Sequence, residues 1–440
     1  MLMLLGTMST TAGFAVASAA HANVYYVNTA GDPGPPGTTS LRQAVAFAGQ
    51  DSDPARAVSF DPSLVGSTIT LTQGAIVIEQ PMEISGFSER SSLTVSGQDT
   101  YRIFEVGNAQ PVAIRNMTLT HGRSSGCGGA VYGKGSQAFT IFNVEVTQSS
   151  AAVGGGICVV GAQTVLSVKR SRVSQNFAAF GGGVYVGQGA GYSAIGRSTI
   201  SGNTARSAGG GVFLSGVEHF VVGYSLIVGN SVPPPTDYSD TSQGGGILAS
   251  GIGLGGLKIT ASTITANYSY AAGAAIRILD AASGDRTRLM NVTVTNNNSA
   301  IAGSAISAAG SPKLYSTLVA SNPGGDLSGT FASNYSLIKD PAGAQITGSH
   351  NLFGADPQLG PLADHGGLTY SMLPVAGSMG IFSMLPAAGS PAVNAGHHIF
   401  ISGEPNFDQR GYPLVSTRDI GAAERQYPED VIFRNTFGPS

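Results

Sequence analysis

The chain has 440 residues and a net charge of −3; only 11% of its residues are charged, whereas 42% are hydrophobic and 63 are glycine. The low charge and the lack of basic runs exclude the electrostatic footprint of a nucleic-acid-binding protein. Because the hydrophobic residues occur in short β-branched runs, a strand-rich folded protein is expected instead of a disordered one.

The first segment, residues 1–22, has the pattern of a cleaved export signal. Small and apolar residues dominate it, and Ala20-His21-Ala22 forms a small-x-small cleavage triplet before Asn23. The segment lacks the Lys or Arg that normally begins such a signal, so a buried N-terminal helix is the alternative interpretation. No later apolar run reaches the ~18 residues that a membrane helix needs, and no membrane span is predicted.

An N-terminal cap with one short helix is predicted over residues 23–66. Ser40 and Gln43 have the spacing of a capping box, and Gly49 can end the helix. The apolar residues between them follow one helical stripe: Leu41, Ala44, Val45 and Ala48.

Residues 67–322 contain an internal repeat with two elements per unit. A glycine-rich element, as in Gly181-Gly182-Gly183-Val184, alternates with an aliphatic-x-x-Asn element. The asparagines are 27, 27, 37 and 30 residues apart: Asn176, Asn203, Asn230, Asn267 and Asn297.

Two repeated elements at a near-constant period predict an all-β fold, a right-handed parallel β-helix with an irregular C-terminal cap. Each asparagine is expected to adopt a left-handed turn and to bond the asparagine of the next coil. In strands such as Val184-Tyr185-Val186, the two valines are expected inside and the aromatic residue outside. Propeller blades and leucine-rich repeats have other periods.

Only two cysteines occur, Cys127 and Cys158. In an exported chain they could form a disulfide. The repeat places them five positions out of register on neighbouring coils, which favours two separate thiols.

The repeat stops near residue 322, and a differently patterned C-terminal section is predicted over residues 323–425, with a tail at 426–440. Asp408, Arg410 and Asp419 lie in its Asp-Gln-Arg-Gly and Asp-Ile-Gly-Ala motifs. A buried ion-pair network that organises this cap is the expected role of the three residues.

These motifs resemble a known bacterial group. The coils are similar to the repeats of polymorphic outer-membrane proteins, and Ser40–Ala44 resembles the Ser-Leu-Arg-Glu-Ala signature of such secreted proteins, with Gln43 in place of Glu. Residues 351–423 resemble the C-terminal half of "choice-of-anchor Q" proteins, and Ile432–Phe437 resembles an aromatic tail of exported proteins. The resemblance implies a cell-surface or extracellular β-helix, but the group has no shared catalytic residues to transfer.

Candidate catalytic residues are sparse. A lyase would need a basic residue beside acidic groups. Lys169, Arg170 and Arg172 lie together, with Glu145 one coil back and Arg115 two coils back; a solvated charged patch is the alternative. His121 stands in a Thr-His-Gly turn without an Asp pair, so a structural role is the alternative there. No metal-ligand spacing and no cofactor motif is present, so no metal site or cofactor is predicted.

Two features are candidates for ligand binding. The outward positions of the glycine-rich strands form an apolar and aromatic stripe that can hold sugar faces or a protein: Tyr132, Cys158, Tyr185, Phe213, Leu248 and Arg277. The inserted loop 232–243 is the second, with Asp237, Tyr238 and Asp240 as its polar contacts. For the stripe, the alternative is that a loop covers the rings. For the inserted loop, the alternative is a tolerated surface loop without a binding role.

The sequence therefore predicts an exported protein, extracellular or associated with the outer membrane, that binds a polysaccharide or a cell-surface protein in an adhesin-like way without catalysis. The alternative is a polysaccharide lyase or glycoside hydrolase that acts on an acidic polysaccharide, and a purely structural spacer is a third class. The sequence does not set the oligomeric state or the identity of the ligand.

Overall fold

The computed structural model describes residues 23–53, 55–107, 111–135, 138–162, 164–235, 243–301, 303–365, 382–397, 405–414 and 418–425. The predicted export signal, the predicted tail, and the loop residues Asp237, Tyr238 and Asp240 lie outside these ranges. No helix in the described ranges is long and apolar enough to cross a membrane.

The N-terminal part already forms coils. Its elements are β1 (Asn23–Val27), α1 (Leu41–Gln50), β2 (Arg56–Phe60), β3 (Ser67–Thr70), β4 (Ile76–Ile78), β5 (Met82–Ser85), β6 (Leu93–Ser96) and β7 (Phe104–Val106). Short 3₁₀ turns lie at Pro62–Leu64 and Arg90–Ser92.

The predicted capping helix is confirmed as α1. The N–H of Ser40 donates to Gln43 Oε1 at 2.9 Å, and the N–H of Gln43 donates to Ser40 Oγ at 3.3 Å. The helix continues past the expected end at Gly49 to Gln50, and Asp51 is its C-cap. Its buried residues are those of the predicted stripe: Leu41, Ala44, Val45 and Ala48.

The most regular coils follow. Their strands are β8 (Val112–Thr120), β9 (Val131–Lys134), β10 (Phe139–Thr147), β11 (Ile157–Val160), β12 (Leu166–Lys169), β13 (Arg172–Ser174), β14 (Phe177–Phe180), β15 (Val184–Gly187), β16 (Tyr192–Gly196), β17 (Thr199–Ser201), β18 (Thr204–Ala208), β19 (Val212–Ser215), β20 (His219–Gly223), β21 (Leu226–Val228) and β22 (Ser231–Val232).

Later coils vary more in length. They contain β23 (Ile247–Ser250), β24 (Gly256–Thr265), β25 (Tyr268–Ser269), β26 (Ile276–Ile278), α2 (Ala281–Asp285), β27 (Thr287–Thr295), β28 (Asn298–Ser299), β29 (Ile306–Ala308), β30 (Lys313–Tyr315), β31 (Leu318–Ala320), β32 (Leu327–Asn334), β33 (Leu337–Ile338), β34 (Ala344–Thr347), β35 (Leu352–Phe353), β36 (Ala363–Asp364) and β37 (Phe382–Ser383).

Strands from successive coils pair in parallel and form three main faces, which confirms the parallel β-helix. A narrower parallel sheet lies between the second and third of these faces, formed by β14, β18, β22, β25 and β28. Face A contains β1, β2, β5, the first halves of β8, β10, β24 and β27, and β12, β16, β20 and β30. Face B follows it with β3, β6, the second halves of the long strands, β13, β17, β21, β31, β33 and β35. Face C comes last, with β4, β7, β9, β11, β15, β19, β23, β26 and β29. The pairing begins at Asn23 and reaches Phe353, so it extends beyond both ends of the predicted 67–322 segment.

Side-chain alternation places the core inside this tube, as the sequence predicts. Val184 and Val186 are fully buried, whereas Tyr185 between them is half-buried on the outer surface. The glycine-rich element is needed where face C begins, because a Cβ at Gly182 would lie 2.5 Å from the carbonyl oxygens of Gly210 and Thr204.

The repeated asparagines form a buried ladder at the corner between faces B and C. Asn176 Nδ2 donates to Asn203 Oδ1 at 2.9 Å, and Asn203 does the same to Asn230. The ladder spacings of 27, 37 and 30 residues match the sequence repeat. The expected left-handed φ is wrong for these asparagines, because the residue before each of them takes it, for example Gln175 at φ 56°.

The expectation of two separate thiols is also wrong, because Cys127 and Cys158 form a disulfide with a Cα–Cα distance of 5.5 Å. Cys127 stacks on Val153 of the next coil. The chain then reverses sharply at Gly154, so that Cys158 returns beside this position and a Cβ on Gly154 would lie 2.7 Å from its Cβ. The offset of five positions between the two cysteines in the repeat did not reveal this reversal of the chain.

The C-terminal section packs on the outer side of face B. Gln409 Nε2 donates to the carbonyl of Ser225 at 3.1 Å, and the N–H of Ala422 donates to Thr293 Oγ1 at 2.9 Å. Thr263, which also bonds Gln409, is fully buried although it lies on an outer strand position. The section therefore covers the later coils of face B.

Candidate functional site

From β8 to β32, the coils turn from face A to face B at one residue in the left-handed conformation. Along the solenoid these A–B corner residues are Asn116, Asn143, Arg170, Arg197, Tyr224, Ala261, Asn291, Ser316 and Tyr335. The residue after the corner points inward: the N–H of Ser171 donates to Ser198 Oγ at 3.1 Å, and the N–H of Ser198 donates to Ser225 Oγ at 3.2 Å. This serine stack holds the corners in register.

Basic side chains gather at the A–B corner of the early coils. The guanidinium of Arg115 lies 5.2 Å from the centre of the Phe142 ring, and that of Arg170 lies 5.5 Å from the same ring. One coil further, Arg197 lies 5.0 Å from the ring of Tyr224. Cation–π packing of this kind orients guanidinium groups at a surface.

Arg90 joins these residues from the loop between β5 and β6. Its Nη1 donates to the carbonyl of Arg170 at 3.4 Å, although the two residues are 80 positions apart in the sequence. Burial lowers the pKa of Arg90, the charge of Glu145 acts in the opposite direction, and Arg172 lowers it further. We call Arg90, Arg115, Lys169, Arg170, Arg172 and Arg197 the arginine corner.

The structure brings three of the predicted catalytic residues into this corner. Glu145 and Arg172 are direct neighbours on adjacent strands, and their Oε1 and Nε atoms are 3.9 Å apart. Lys169 is exposed at the end of β12. His121 lies at the opposite end of the face B strand, where its Nδ1 is 2.8 Å from Thr120 Oγ1.

A pocket of about 230 Å³ opens beside the corner, between face B and the C-terminal section. Arg172 lines it together with Thr199, Ser201, Leu226, Val228, Leu362 and Phe382. Arg172 therefore belongs both to the charged corner and to the wall of a concave site.

Face A beside the corner has a floor without large side chains. The floor residues of β16 and β20 are Ala194, Gly196, Val221 and Gly223, which pair in register. A Cβ added to Gly196 would meet no atom within 4 Å, so the space above it is open. Tyr192 and His219, whose rings are 4.4 Å apart, border the floor on the side away from Arg197. We call this surface the glycine floor.

The predicted aromatic stripe on face C is interrupted. Tyr132, Tyr185 and Phe213 are half-buried, as expected for outward positions, but Cys158 and Leu248 are buried. The Tyr185 and Phe213 rings meet edge to face with centres 5.4 Å apart, and Arg102 lies 4.9 Å from the ring centre of Tyr132. The disulfide explains the burial of Cys158, and together the two buried positions split the stripe into separate patches.

The predicted network in the C-terminal section is present in part: Asp408 and Arg410 form an ion pair, whereas the Asp419 carboxylate accepts the backbone N–H groups of Asn394 and Arg425. Arg410 pairs with the buried Asp408 at 2.6 Å, and the N–H of Asp419 donates to Glu424 Oε2 at 3.1 Å. Burial raises the pKa of Glu424 to about 8, and the charges of Asp419 and Asp408 add to the rise. Within the described ranges, no group of three or more His, Cys, Asp or Glu side chains is arranged to hold a metal ion.

Sequence reasoning missed two members of the arginine corner. Arg197 follows Arg170 by one repeat, and this signal was available in the sequence. The position of Arg90 could not be inferred from the repeat spacing, because Arg90 reaches the corner from an irregular loop of an earlier coil.

Among the comparisons with known proteins, the one with solved structures gives information on the fold. No protein-family model matches the chain, and no curated protein matches it. Among solved structures, the crystal structure of pectate lyase Pel9A is similar with a TM-score of 0.52 and 16% identity, over 92% of this chain and 96% of that chain. The resemblance to choice-of-anchor Q proteins stays a prediction. At this identity the similarity shows that the chain has a parallel β-helix fold.

Proposed function

We propose that this protein is exported and binds an acidic polysaccharide at the arginine corner. The observation that carries the proposal is the presence of Arg170 and Arg197 at two consecutive left-handed corner positions. Asparagine tolerates this conformation far better than arginine does, and three of the seven other corner positions are asparagine: Asn116, Asn143 and Asn291. Arginine at such a corner destabilises the fold relative to asparagine, and a destabilising residue is expected to be kept where it serves binding.

The charge balance of the corner supports an anionic ligand. Its two nearby carboxylates are those of Glu83, which pairs with Arg115 at 2.9 Å, and of Glu145. The six basic side chains of the corner outnumber these acids, whereas the whole chain has a net charge of −3. Guanidinium groups bind carboxylates and sulfates through two parallel N–H bonds, which favours such ligands.

The shape of the surface favours a sugar polymer over a folded protein. The glycine floor is open at Gly196, and the rings of Tyr192 and His219 at its border can pack against pyranose rings. The fold similarity adds a consistent precedent, since pectate lyase Pel9A is named for an acidic polysaccharide. Binding through Tyr132, Tyr185 and Phe213 is the weaker alternative, because Cys158 and Leu248 interrupt that stripe.

Export is supported by the disulfide between Cys127 and Cys158 together with the signal-like pattern of residues 1–22. Disulfides persist in oxidising compartments and are rare in reducing ones. An extracellular or outer-membrane-associated location would bring the protein into contact with polysaccharides.

The test compares binding of polygalacturonate, alginate and neutral dextran by titration calorimetry at low and high salt. The wild type should bind the acidic polymers and lose affinity with salt, and Arg170→Asn with Arg197→Asn should weaken binding by about tenfold or more. Because asparagine is the residue of neighbouring corners, this variant should keep its fold. Arg123→Asn with Arg206→Asn, which removes the same charge elsewhere, is the matched control. Equal binding by the wild type and the corner variant would refute the proposal.

Catalysis by β-elimination is a second candidate, favoured by the half-buried Arg90 guanidinium, which bonds the carbonyl of Arg170 and whose pKa is lowered by burial and by Arg172. In that reaction Arg90 or Lys169 would take the C5 proton of a uronate, a C4–C5 double bond would form, and the C4–O bond would break as the leaving oxygen gains a proton. Arg172 would pair with the uronate carboxylate. Incubation with polygalacturonate and alginate tests this candidate: an ultraviolet absorbance from unsaturated uronates supports it, and none after prolonged incubation rejects it.

A further inference from the structure

Three basic residues lie side by side on face A of the later coils. Lys258 of β24 pairs in register with Arg288 of β27, and Arg288 pairs with Lys313 of β30. Neighbouring strands are about 4.8 Å apart, so three cationic side chains emerge from adjacent strands at one strand position. We call these residues the cationic row.

This arrangement has a cost in stability. Like charges directly opposite each other on neighbouring strands repel and destabilise a sheet. Burial lowers the pKa of Lys258, and the charge of Arg288 lowers it further. The ion pairs found in the described ranges involve other cations: Arg42, Arg102, Arg115, Lys134, Arg172, Lys339 and Arg410.

The row and the arginine corner lie on one continuous surface. On the half-exposed outward positions, Ala194 of β16 is followed in register by Val221 of β20 and then by Lys258 of β24. The parallel register from Lys169 passes Gly196 and reaches Gly223 and Thr260, which are buried. The glycine floor therefore separates the two basic regions without a large side chain between them. From Lys169 to the strand of Lys313 there are five strand spacings, or about 24 Å.

We propose that the cationic row is a second anion-binding site, which holds later charges of the same linear acidic polymer whose first charges are held at the arginine corner. This inference rests on the proposed function and deepens it, because it assigns the ligand class as an extended polymer and not a short oligosaccharide. The polymer would cross the glycine floor along the solenoid axis. A polymer that is long enough binds the arginine corner and the cationic row at the same time. Its affinity should therefore exceed that of an oligomer that reaches one of them alone.

The test measures the affinities of a trimer and a decamer of galacturonic acid, and of a heparin-type decamer, by titration calorimetry. The wild type should bind one of the decamers at least about tenfold more tightly than the trimer. Arg288→Gln with Lys313→Gln should lose this gain and keep the trimer affinity. Arg123→Gln with Arg206→Gln, which removes the same charge from other faces, should keep the gain. The decamer that binds more tightly identifies the recognised group: carboxylate for galacturonic acid, or sulfate for the heparin-type oligomer.

The outcomes separate the two proposals. A wild type that binds none of these oligomers refutes the proposed function, and the row with it. A wild type that binds the trimer through Arg170 and Arg197 without any gain for a decamer refutes the row alone. A gain that survives in the Arg288 and Lys313 variant, or that the control variant loses equally, also refutes the row. Thermal unfolding gives a second readout, because removal of repelling charges should leave the melting temperature unchanged or higher.

Discussion

Replacement of Asn203 by alanine should destabilise the protein strongly, because Asn203 lies in the middle of the buried ladder. Its Oδ1 accepts the backbone N–H of Asn176 at 3.0 Å and the Asn176 side chain at 2.9 Å. Its Nδ2 donates to the carbonyl of Val173 and to Asn230 Oδ1, both at 2.9 Å. Alanine leaves the buried N–H of Asn176 without this acceptor, at a cost of about 1–3 kcal/mol, and removes three further bonds worth about 1 kcal/mol each. The expected loss is about 5 kcal/mol.

Urea unfolding followed by far-ultraviolet circular dichroism measures this loss. Asn203→Ser is the matched control, because a serine already occupies the ladder two coils before Asn203: Ser149 Oγ accepts the N–H of Gly122 at 3.0 Å. Serine should restore the acceptor for Asn176 and cost about 2 kcal/mol less than alanine. A loss below about 1 kcal/mol for alanine, or equal losses for the two variants, would show that the ladder is not the source of this stability.

Three further predictions concern other parts of the chain. The pKa of Glu424 is raised from its ordinary value of 4.5 to about 8, so stabilisation by its protonated form is complete below pH 4.5 and is lost progressively as pH rises to 8; the melting temperature of the wild type should fall across this window and level off above pH 8, whereas that of Glu424→Gln should fall less. Cys127→Ser with Cys158→Ser should lower the free energy of unfolding by about 3 kcal/mol, since the disulfide closes a separation of 31 residues; urea unfolding of the wild type with and without reductant should show the same difference, and no difference would contradict it. Arg170→Asn should raise stability by up to about 1 kcal/mol, because asparagine suits the left-handed corner; a loss of stability in thermal unfolding would contradict the view that arginine is kept there for binding.

Local patterns in the sequence were sufficient for much of the fold. The capping box at Ser40 and Gln43 acts within one helical turn, and α1 begins where it predicts. The alternation around Tyr185 follows from the two-residue period of a strand, so the inside and outside of face C could be assigned.

Part of the candidate site was within reach of the sequence as well. Glu145 and Arg172 are one 27-residue repeat apart, and the regular coils bring them together as the period implies. Where coil length changes, this reasoning fails. Lys258, Arg288 and Lys313 are 30 and 25 positions apart, so their alignment was hidden until the strand pairing was known.

The sequence by itself determined the stacked coils, the asparagine ladder and the capping helix, since these depend on short patterns repeated along the chain. Only the tertiary structure decided which side chains meet where the chain departs from the regular repeat. Arg90 reaches Arg170 across 80 residues, and Cys158 returns to Cys127 through a reversal at Gly154. Both contacts depend on loop paths and on lateral register between coils, and these are set by hydrogen bonds between distant strands.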